Sequence, residues 1–332
     1  MFKPTAIYFE KNIEKYELGK ELLEKYKEIP KFEIENHNNI EEMRKKENSE
    51  FLKMKRNLII GVRKTHKFVE NHKVSDYLVP YTSSGCIASC MYCYLVCNYN
   101  KCAYMRLFVN REEMLEKIIK TANNSEKELT FEIGSNSDLI LENTITNNLV
   151  WTIEKFKNVE KGKLTFPTKF SYVDDLLTLN HNRKVIIRMS VNPEYIINRV
   201  EFGTSRLKER VEAINKLAEA GYEVGILIAP VIFLENWKEL YHDLIIYLRE
   251  NLSQKAKKEV FFEVIFMTYS YVHNAINSEA FKNTIEIYDK NKMTGRGRGK
   301  YMYKNDLRKE GRIFFENELE KYFKDNKIWY IV

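Results

Sequence analysis

An α/β fold built as a partial, open barrel of six β/α units is the architecture this sequence predicts. From residue 76 onward, short β-branched or aromatic runs alternate with helical stretches that carry charge on one face. The stretch 205–220 shows the pattern most cleanly, a helix stopped by Gly221 just before the next run. Gly and Pro are scarce, 12 and 6 in 332 residues, and no low-complexity linker or internal repeat divides the chain.

The predicted strands cover residues 77–81, 129–133, 163–167, 184–189, 223–228 and 260–266. Strands separated by helices must be parallel, because parallel neighbours need crossover connections. Six units are too few for a closed barrel of eight, and in either form the chemistry sits at the carboxyl ends of the strands. Residues 1–75 are rich in Lys, Glu and Asn and read as a helical N-terminal extension, with Leu18, Leu22, Leu23 and Tyr26 at helical spacing as core contacts. The expected organisation is therefore an extension over 1–75, the partial barrel over 76–270 and a C-terminal segment over 271–332.

Composition narrows the function. With 44% apolar and 30% charged residues the chain can bury a sizeable core, and disorder is excluded. Its longest apolar run, near residues 224–234, falls well short of the roughly 20 residues a spanning helix needs, and no signal segment opens the sequence, so a cytoplasmic location is expected. The balance of 54 Lys and Arg against 47 Asp and Glu gives +7, a mild basic bias that permits a polyanionic partner without demanding one.

All five cysteines lie between Cys86 and Cys102, which excludes a disulfide framework and points to one local site. Cys86, Cys90 and Cys93 stand in a C-x3-C-x2-C spacing directly after the first predicted strand. Three thiolates so placed can hold three irons of a cubane cluster and leave the fourth open to a small molecule. Cys90, Cys93, Cys97 and Cys102 offer the alternative of a tetrahedral zinc site in a nucleic-acid-binding module without chemistry.

The spacing, with Tyr92 before the third cysteine, resembles the radical S-adenosylmethionine superfamily. Cys90-Met-Tyr-Cys-Tyr-Leu, followed by Tyr104-Met-Arg-Leu-Phe-Val-Asn, looks like the spore photoproduct lyase family within it. Similar short stretches run along nearly the whole chain: Tyr8-Phe-Glu, Leu18-Gly-Lys-Glu-Leu, Val62-Arg-Lys-Thr, Thr168-Lys-Phe, Ser190-Val-Asn, Ile228-Ala-Pro and Gly299-Lys-Tyr. The resemblance implies a 4Fe-4S cluster on Cys86, Cys90 and Cys93, and S-adenosylmethionine held by Ser137, Lys169 and Ser190. It implies a 5'-deoxyadenosyl radical that opens the ultraviolet-induced thymine dimer of spore DNA, with Tyr92 and Tyr94 relaying the radical back. A flavodoxin- or ferredoxin-type electron donor is implied as a partner, and the spore core as the location if the source forms spores. Position agrees, since Ser137, Lys169 and Ser190 follow the second, third and fourth predicted strands.

Two departures stand against the resemblance. The family keeps a cysteine in a Cys-Thr-Ser-Asp loop after the second strand, where it hands a hydrogen atom to the product thymine radical; here the loop reads Ser135-Asn-Ser-Asp. A serine O–H bond is too strong for that transfer. Cys97, four residues past Cys93 and so on one helical face with it, and Cys102 are the candidate replacements, or else the chain is a relative with altered or lost repair. The second departure is Phe266-Met-Thr-Tyr in place of a Thr-His-Arg-like stretch; Met267 and Tyr269 read equally well as core. A lesion in a duplex must be drawn out of the stack. The C-terminal segment supplies Arg296, Arg298, Lys300 and Tyr301, cations with an aromatic and intervening glycines, suited to phosphate contact and base stacking.

Overall fold

The computed structural model describes residues 2–332. The chain opens with β1 (Ala6–Glu10), β2 (Lys31–Ile34) and β3 (Asn57–Gly61), which pair in parallel. After the short antiparallel pair β4 (Val69–Glu70) and β5 (Tyr77–Leu78) come β6 (Ser83–Ser84), β7 (Ser89–Cys90) and β8 (Met105–Phe108). Strands β6 and β8 complete the first sheet, in the order β2-β1-β3-β8-β6. The N-terminal 75 residues are therefore not only helical. The helix Glu17–Lys25 buries Leu18 and Leu22 as expected, but four strands, β1 to β4, accompany it. Asn57-Leu-Ile-Ile-Gly is buried at every position, so it lacks the polar–apolar alternation that marks a half-exposed strand. Nor does the sheet stop at residue 75, because β6 and β8 come from either side of the cysteine loop.

The second sheet is the barrel. It adds β9 (Leu129–Glu132), β10 (Gly162–Thr168), β11 (Val185–Val191), β13 (Glu223–Val231), β14 (Phe261–Phe266) and β18 (Ile328–Ile331), in the order β18-β14-β13-β11-β10-β9-β5-β4. All neighbours but β4 and β5 are parallel. The six expected strands are present in sequence order, and the helix Leu207–Glu219 lies between β11 and β13 as expected. Two strands were not anticipated. The edge strand β4 is two residues long, and β18 is a four-residue run at the C-terminus that returns to pair with β14. The C-terminal segment is thus part of the barrel sheet, and its helix Asn305–Phe323 packs Phe315, Leu319 and Phe323 into the common core.

The barrel interior is charged at mid-height. Arg188 on β11 lies 2.6 Å from Glu132 of β9 and 3.1 Å from Glu263 of β14, and its Nε donates to Thr165 of β10. Tyr330 of β18 donates to Glu263 at 2.5 Å. Below this layer Val74, Ile186 and Phe261 form an apolar plug with Trp329 and Tyr330 at its edge. One guanidinium therefore ties four strands together across the barrel.

Arg188→Ala leaves two buried carboxylates without their cation, and removal of one partner from such a group costs about 3–5 kcal/mol. Urea unfolding of the variant is expected to show a loss of this size with an unchanged m value; a loss below about 1 kcal/mol would place the charge cluster in water.

Candidate active site

The cysteine loop is built against the first sheet. Gly85 adopts φ +75°, and a Cβ there would stand 1.8 Å from the carbonyl oxygen of Tyr104, so only glycine lets the loop pass. Its N–H donates to the carbonyl of Asn136 at 2.8 Å, joining the loop to the segment after β9. Lys55 is buried beneath and donates to the carbonyls of Cys86 and Ala103 at 2.9 and 2.8 Å. Cys86 and Cys90 are buried and Cys93 is half-buried. Burial pushes the Cys86 thiol up to about 12, against the pull of Lys55, and raises Cys90 likewise, against the pull of Lys169. Thiols in such a dry place give up their protons to metal, which takes over as the counter-charge.

The donor set fits a polynuclear cluster. Among the described residues no three His, Cys, Asp or Glu side chains converge closely enough to hold a single ion, whereas in a cubane each thiolate holds its own iron. The zinc alternative fails on position. Cys102 is buried in a separate apolar cluster with Tyr8, Ile40, Met43 and Tyr104, and Cys97 faces Ser270 and His273, 3.5 and 3.9 Å away.

Lys169 and Ser190 meet across the strand ends. Lys169 Nζ donates to Ser190 Oγ at 2.5 Å and to the carbonyl of Ala229 at 3.0 Å. Behind them lies Glu201, fully buried, in the short strand β12 (Glu201–Phe202), which pairs antiparallel with β7. The Glu201 carboxylate accepts from the Tyr92 hydroxyl, from Asn192 at 2.8 Å and from Arg210 at 2.5 Å. Burial alone would raise this carboxyl; the charges of Arg210 and Lys169, with the bonds from Tyr92 and Asn192, bring it down to about 2, so it stays ionised. Tyr92 is thereby locked under the cluster loop.

Ser137 lies on the other side of the mouth. Its hydroxyl is 2.6 Å from that of Ser83, and Ser83 in turn donates to the buried Glu142 at 2.5 Å. Asp138 caps the helix Leu139–Thr146 and accepts from Thr168 Oγ1 at 2.8 Å and from the Lys169 N–H at 2.9 Å, which fixes the Ser137 loop relative to Lys169. Tyr94, next to Cys93, is 52% exposed and stands open to solvent. Burial raises its phenol, and the charges of Cys93 and Glu132 add to the effect.

On the helix Leu95–Tyr99, Cys97 stands one turn past Cys93 on the partly accessible face. His273 Nε2 meets the Cys93 carbonyl at 2.9 Å and its Nδ1 meets Ser270 Oγ at 2.8 Å. Cys102, the other candidate hydrogen donor, is walled off in the first sheet, and an enclosed thiol has no route to a substrate at the strand ends. Met267 and Tyr269 are buried and belong to the core.

Arg296, Arg298, Lys300 and Tyr301 lie on a hairpin of β16 (Met293–Gly297) and β17 (Lys300–Tyr303), which pairs through β17 with β15 (Thr268–Ser270) just past β14. Gly297, Arg298 and Gly299 all have positive φ, so the glycines make the turn. Arg296, Arg298 and Lys300 are exposed and none pairs with a carboxylate among the described residues. Tyr301 is half-buried, edge-on to Tyr288 at 5.1 Å. Sequence reasoning missed Glu201, Asn192, Arg210, Lys55, Ser83 and Glu142. Only Asn192 carried a signal, standing at the end of the Ser190-Val-Asn stretch that resembles the family.

A half-barrel with three cysteines at this spacing, on the loop that follows its first parallel strand, has the architecture of the radical S-adenosylmethionine superfamily. Within it the chain belongs to the spore photoproduct lyase family, whose family model, described as spore photoproduct lyase, matches residues 2–332. The chain is 34% identical to the spore photoproduct lyase of Bacillus subtilis over 99% of its own length and 98% of the relative's, and 31% identical to that of a Geobacillus species with the same coverage. A solved spore photoproduct lyase complexed with dinucleoside spore photoproduct superimposes with a TM-score of 0.92 at 30% identity, covering 100% of this chain and 99% of that one. A variant of such an enzyme with bound AdoMet and the same dinucleoside matches equally well.

Gly85→Ala is expected to abolish cluster assembly while leaving the fold. Iron and sulfide per chain after anaerobic reconstitution should fall to a small fraction of the unaltered protein's, with the far-ultraviolet circular dichroism retained; normal loading would mean that the loop tolerates the displaced Tyr104 carbonyl.

Proposed function

We propose that this protein is a radical S-adenosylmethionine lyase that repairs spore photoproduct in DNA. The observation that carries the reading is the C-x3-C-x2-C loop opposite Lys169 and Ser190 at the carboxyl rim of the half-barrel. It is supported by the solved variant of a spore photoproduct lyase, 30% identical to this chain, that holds AdoMet and the dinucleoside lesion. Cys86, Cys90 and Cys93 hold the cluster. A cluster held there would supply the reducing electron that cleaves S-adenosylmethionine to a 5'-deoxyadenosyl radical.

The chain's own residues do the rest. Lys169 offers a cation to the cofactor's carboxylate, and Ser190 and Ser137 offer hydroxyls to its polar groups. The strand-end mouth where Tyr94 stands exposed receives the extruded lesion. Tyr92 and Tyr94 stand on the cluster loop and return the radical, Tyr92 with its proton held towards Glu201. The exposed cations of the hairpin contact the DNA backbone, and the electron comes from a flavodoxin- or ferredoxin-type carrier.

Ser135 cannot give the product thymine radical its hydrogen atom, and Cys97 takes that place. It lies one turn past Cys93 and Tyr94, which directly precede its helix. Ser270 Oγ accepts from its S–H, and His273, whose pKa burial lowers, is neutral and accepts from Ser270 when its Nε2–H is engaged by the Cys93 carbonyl. The thiol thus keeps the hydrogen that it must donate.

Reconstituted protein, given S-adenosylmethionine, dithionite and irradiated thymine dinucleotide under argon, is expected to release 5'-deoxyadenosine and restore thymine. Absence of both products would overturn the lyase reading. In Cys97→Ala, restored thymine should fall about tenfold or more, with trapped radical adducts in its place and the first turnover of S-adenosylmethionine retained. Equal repair by the variant would leave the hydrogen donor elsewhere.

A further inference from the structure

We propose that the loop from Arg63 to Lys67 is a second phosphodiester-binding surface, across the mouth of the barrel from the basic hairpin. The inference rests on the reading of DNA as substrate and extends it to an element that no part of the repair chemistry uses.

Arg63 is the starting point. Its backbone is clamped by Asn110, which accepts from the Arg63 N–H at 2.9 Å and donates to its carbonyl at 3.0 Å. The guanidinium lies 3.8 Å over the Phe108 ring, donates from Nε to the Tyr81 carbonyl at 3.0 Å and from Nη2 to the Ser83 carbonyl at 3.4 Å. Tyr81 and Ser83 follow the carboxyl end of β5, and the Ser83 hydroxyl meets Ser137, so this guanidinium lies beside the Ser137 loop at the carboxyl ends of the strands. Burial lowers Arg63 to about 10, which leaves it charged at neutral pH.

The buried guanidiniums are spent on internal partners. Arg188 and Arg210 have carboxylate partners, and all three nitrogens of Arg106 go to backbone carbonyls. Arg63 has no carboxylate at ion-pair distance, and its Nη1 has no protein acceptor among the described residues. Arg63 is thus a half-buried cation with its stem fixed and one donor open, an arrangement suited to a charge-assisted bond to an oxyanion. The chain beyond it is basic and exposed at Lys64 and Lys67. It is held in place by His66, bonded to the Arg63 carbonyl at 2.8 Å, and by Lys117, which donates to the His66 carbonyl.

The topology supplies the geometry. In the sheet order β18-β14-β13-β11-β10-β9-β5-β4 the hairpin follows β14 near one free edge, and the Arg63 loop leads into β4 and β5 at the other. A half-barrel is open between those edges. A strand whose lesion is drawn into the cavity presents phosphates on both sides of the extruded bases, one side to the hairpin and the other to Arg63, Lys64 and Lys67. An oxyanion at Arg63 could equally be the carboxylate of the cofactor. Lys169 already serves that group from the opposite wall, and the test separates the two.

The measurement is fluorescence anisotropy of a labelled, irradiated single-stranded oligonucleotide on the cluster-loaded enzyme across a salt series, beside kcat/KM on the phosphate-free dinucleoside lesion. Lys64→Gln with Lys67→Gln should lower the slope of log K against log salt by about 1 for each phosphate no longer engaged, and Arg63→Gln by about 1 more. Both variants should lose more kcat/KM on the oligonucleotide than on the dinucleoside. Unchanged slopes in Lys64→Gln with Lys67→Gln would overturn the proposal, and so would an Arg63→Gln that loses both substrates equally, which would assign Arg63 to the cofactor or to the fold. Arg296→Gln with Arg298→Gln serves as the companion. If the hairpin variant lowers the slope and the loop variants do not, only the second surface fails; if the unaltered enzyme itself shows no salt-dependent binding, DNA as substrate fails with it.

Discussion

The buried carboxylate of Glu201 is the constraint on which the rest of the site depends. It sits in a two-residue strand paired with the cysteine loop at Cys90, and it collects a phenol, an amide and a guanidinium from three other places in the chain. An unpaired carboxylate at that depth would cost several kcal/mol, so Tyr92, Asn192 and Arg210 have to arrive together. Their arrival fixes the loop that carries the cluster ligands against the end of β11. Lys169, 3.9 Å from the same carboxylate, is oriented by it toward Ser190. One ionised group thus sets the cysteine loop, Lys169 and Tyr92 relative to one another.

A second use of charge runs through the barrel. The interior carries Arg188 between two carboxylates where a closed barrel would carry branched aliphatic layers. Small or polar residues near that level, Gly225 and Thr165 among them, leave room for the guanidinium; a Cβ on Gly225 would meet the Phe261 ring at 2.5 Å and Arg188 Cγ at 3.2 Å. The apolar plug below and the charged layer above it together make a floor. Beyond that floor, at the strand ends, Lys169 and Ser190 meet.

The barrel was legible because its strands are short, buried runs separated by helices of ordinary amphipathic character, and both periods survive in the residues themselves. What escaped were strands too short or too uniformly buried to show a period: β1 and β3 in the first sheet, β4 at the edge and β18 at the C-terminus. The last is the instructive case. Ile328-Trp-Tyr-Ile is a plausible strand anywhere, and its partner Phe261–Phe266 is identified only by the packing of the helix Asn305–Phe323 that brings it back. For the same reason the division at residues 75 and 270 does not coincide with breaks in either sheet.

By itself the sequence determined the chemistry on offer: three thiols at a spacing that suits a cluster, a lysine and two serines at successive strand ends, and a serine where a hydrogen-donating thiol was expected. These are properties of residue type and local spacing, and they hold before any contact forms. Only the tertiary structure decided the surroundings of the two spare cysteines, enclosing Cys102 against the first sheet and leaving Cys97 half-buried beside Ser270, 173 residues away. It also decided which cations are spent, pairing Arg188 and Arg210 internally and leaving Arg63 with an open donor. Such outcomes turn on burial and on partners far apart in the chain, and a residue's cost or use in a dry place is set by the neighbours the fold brings to it.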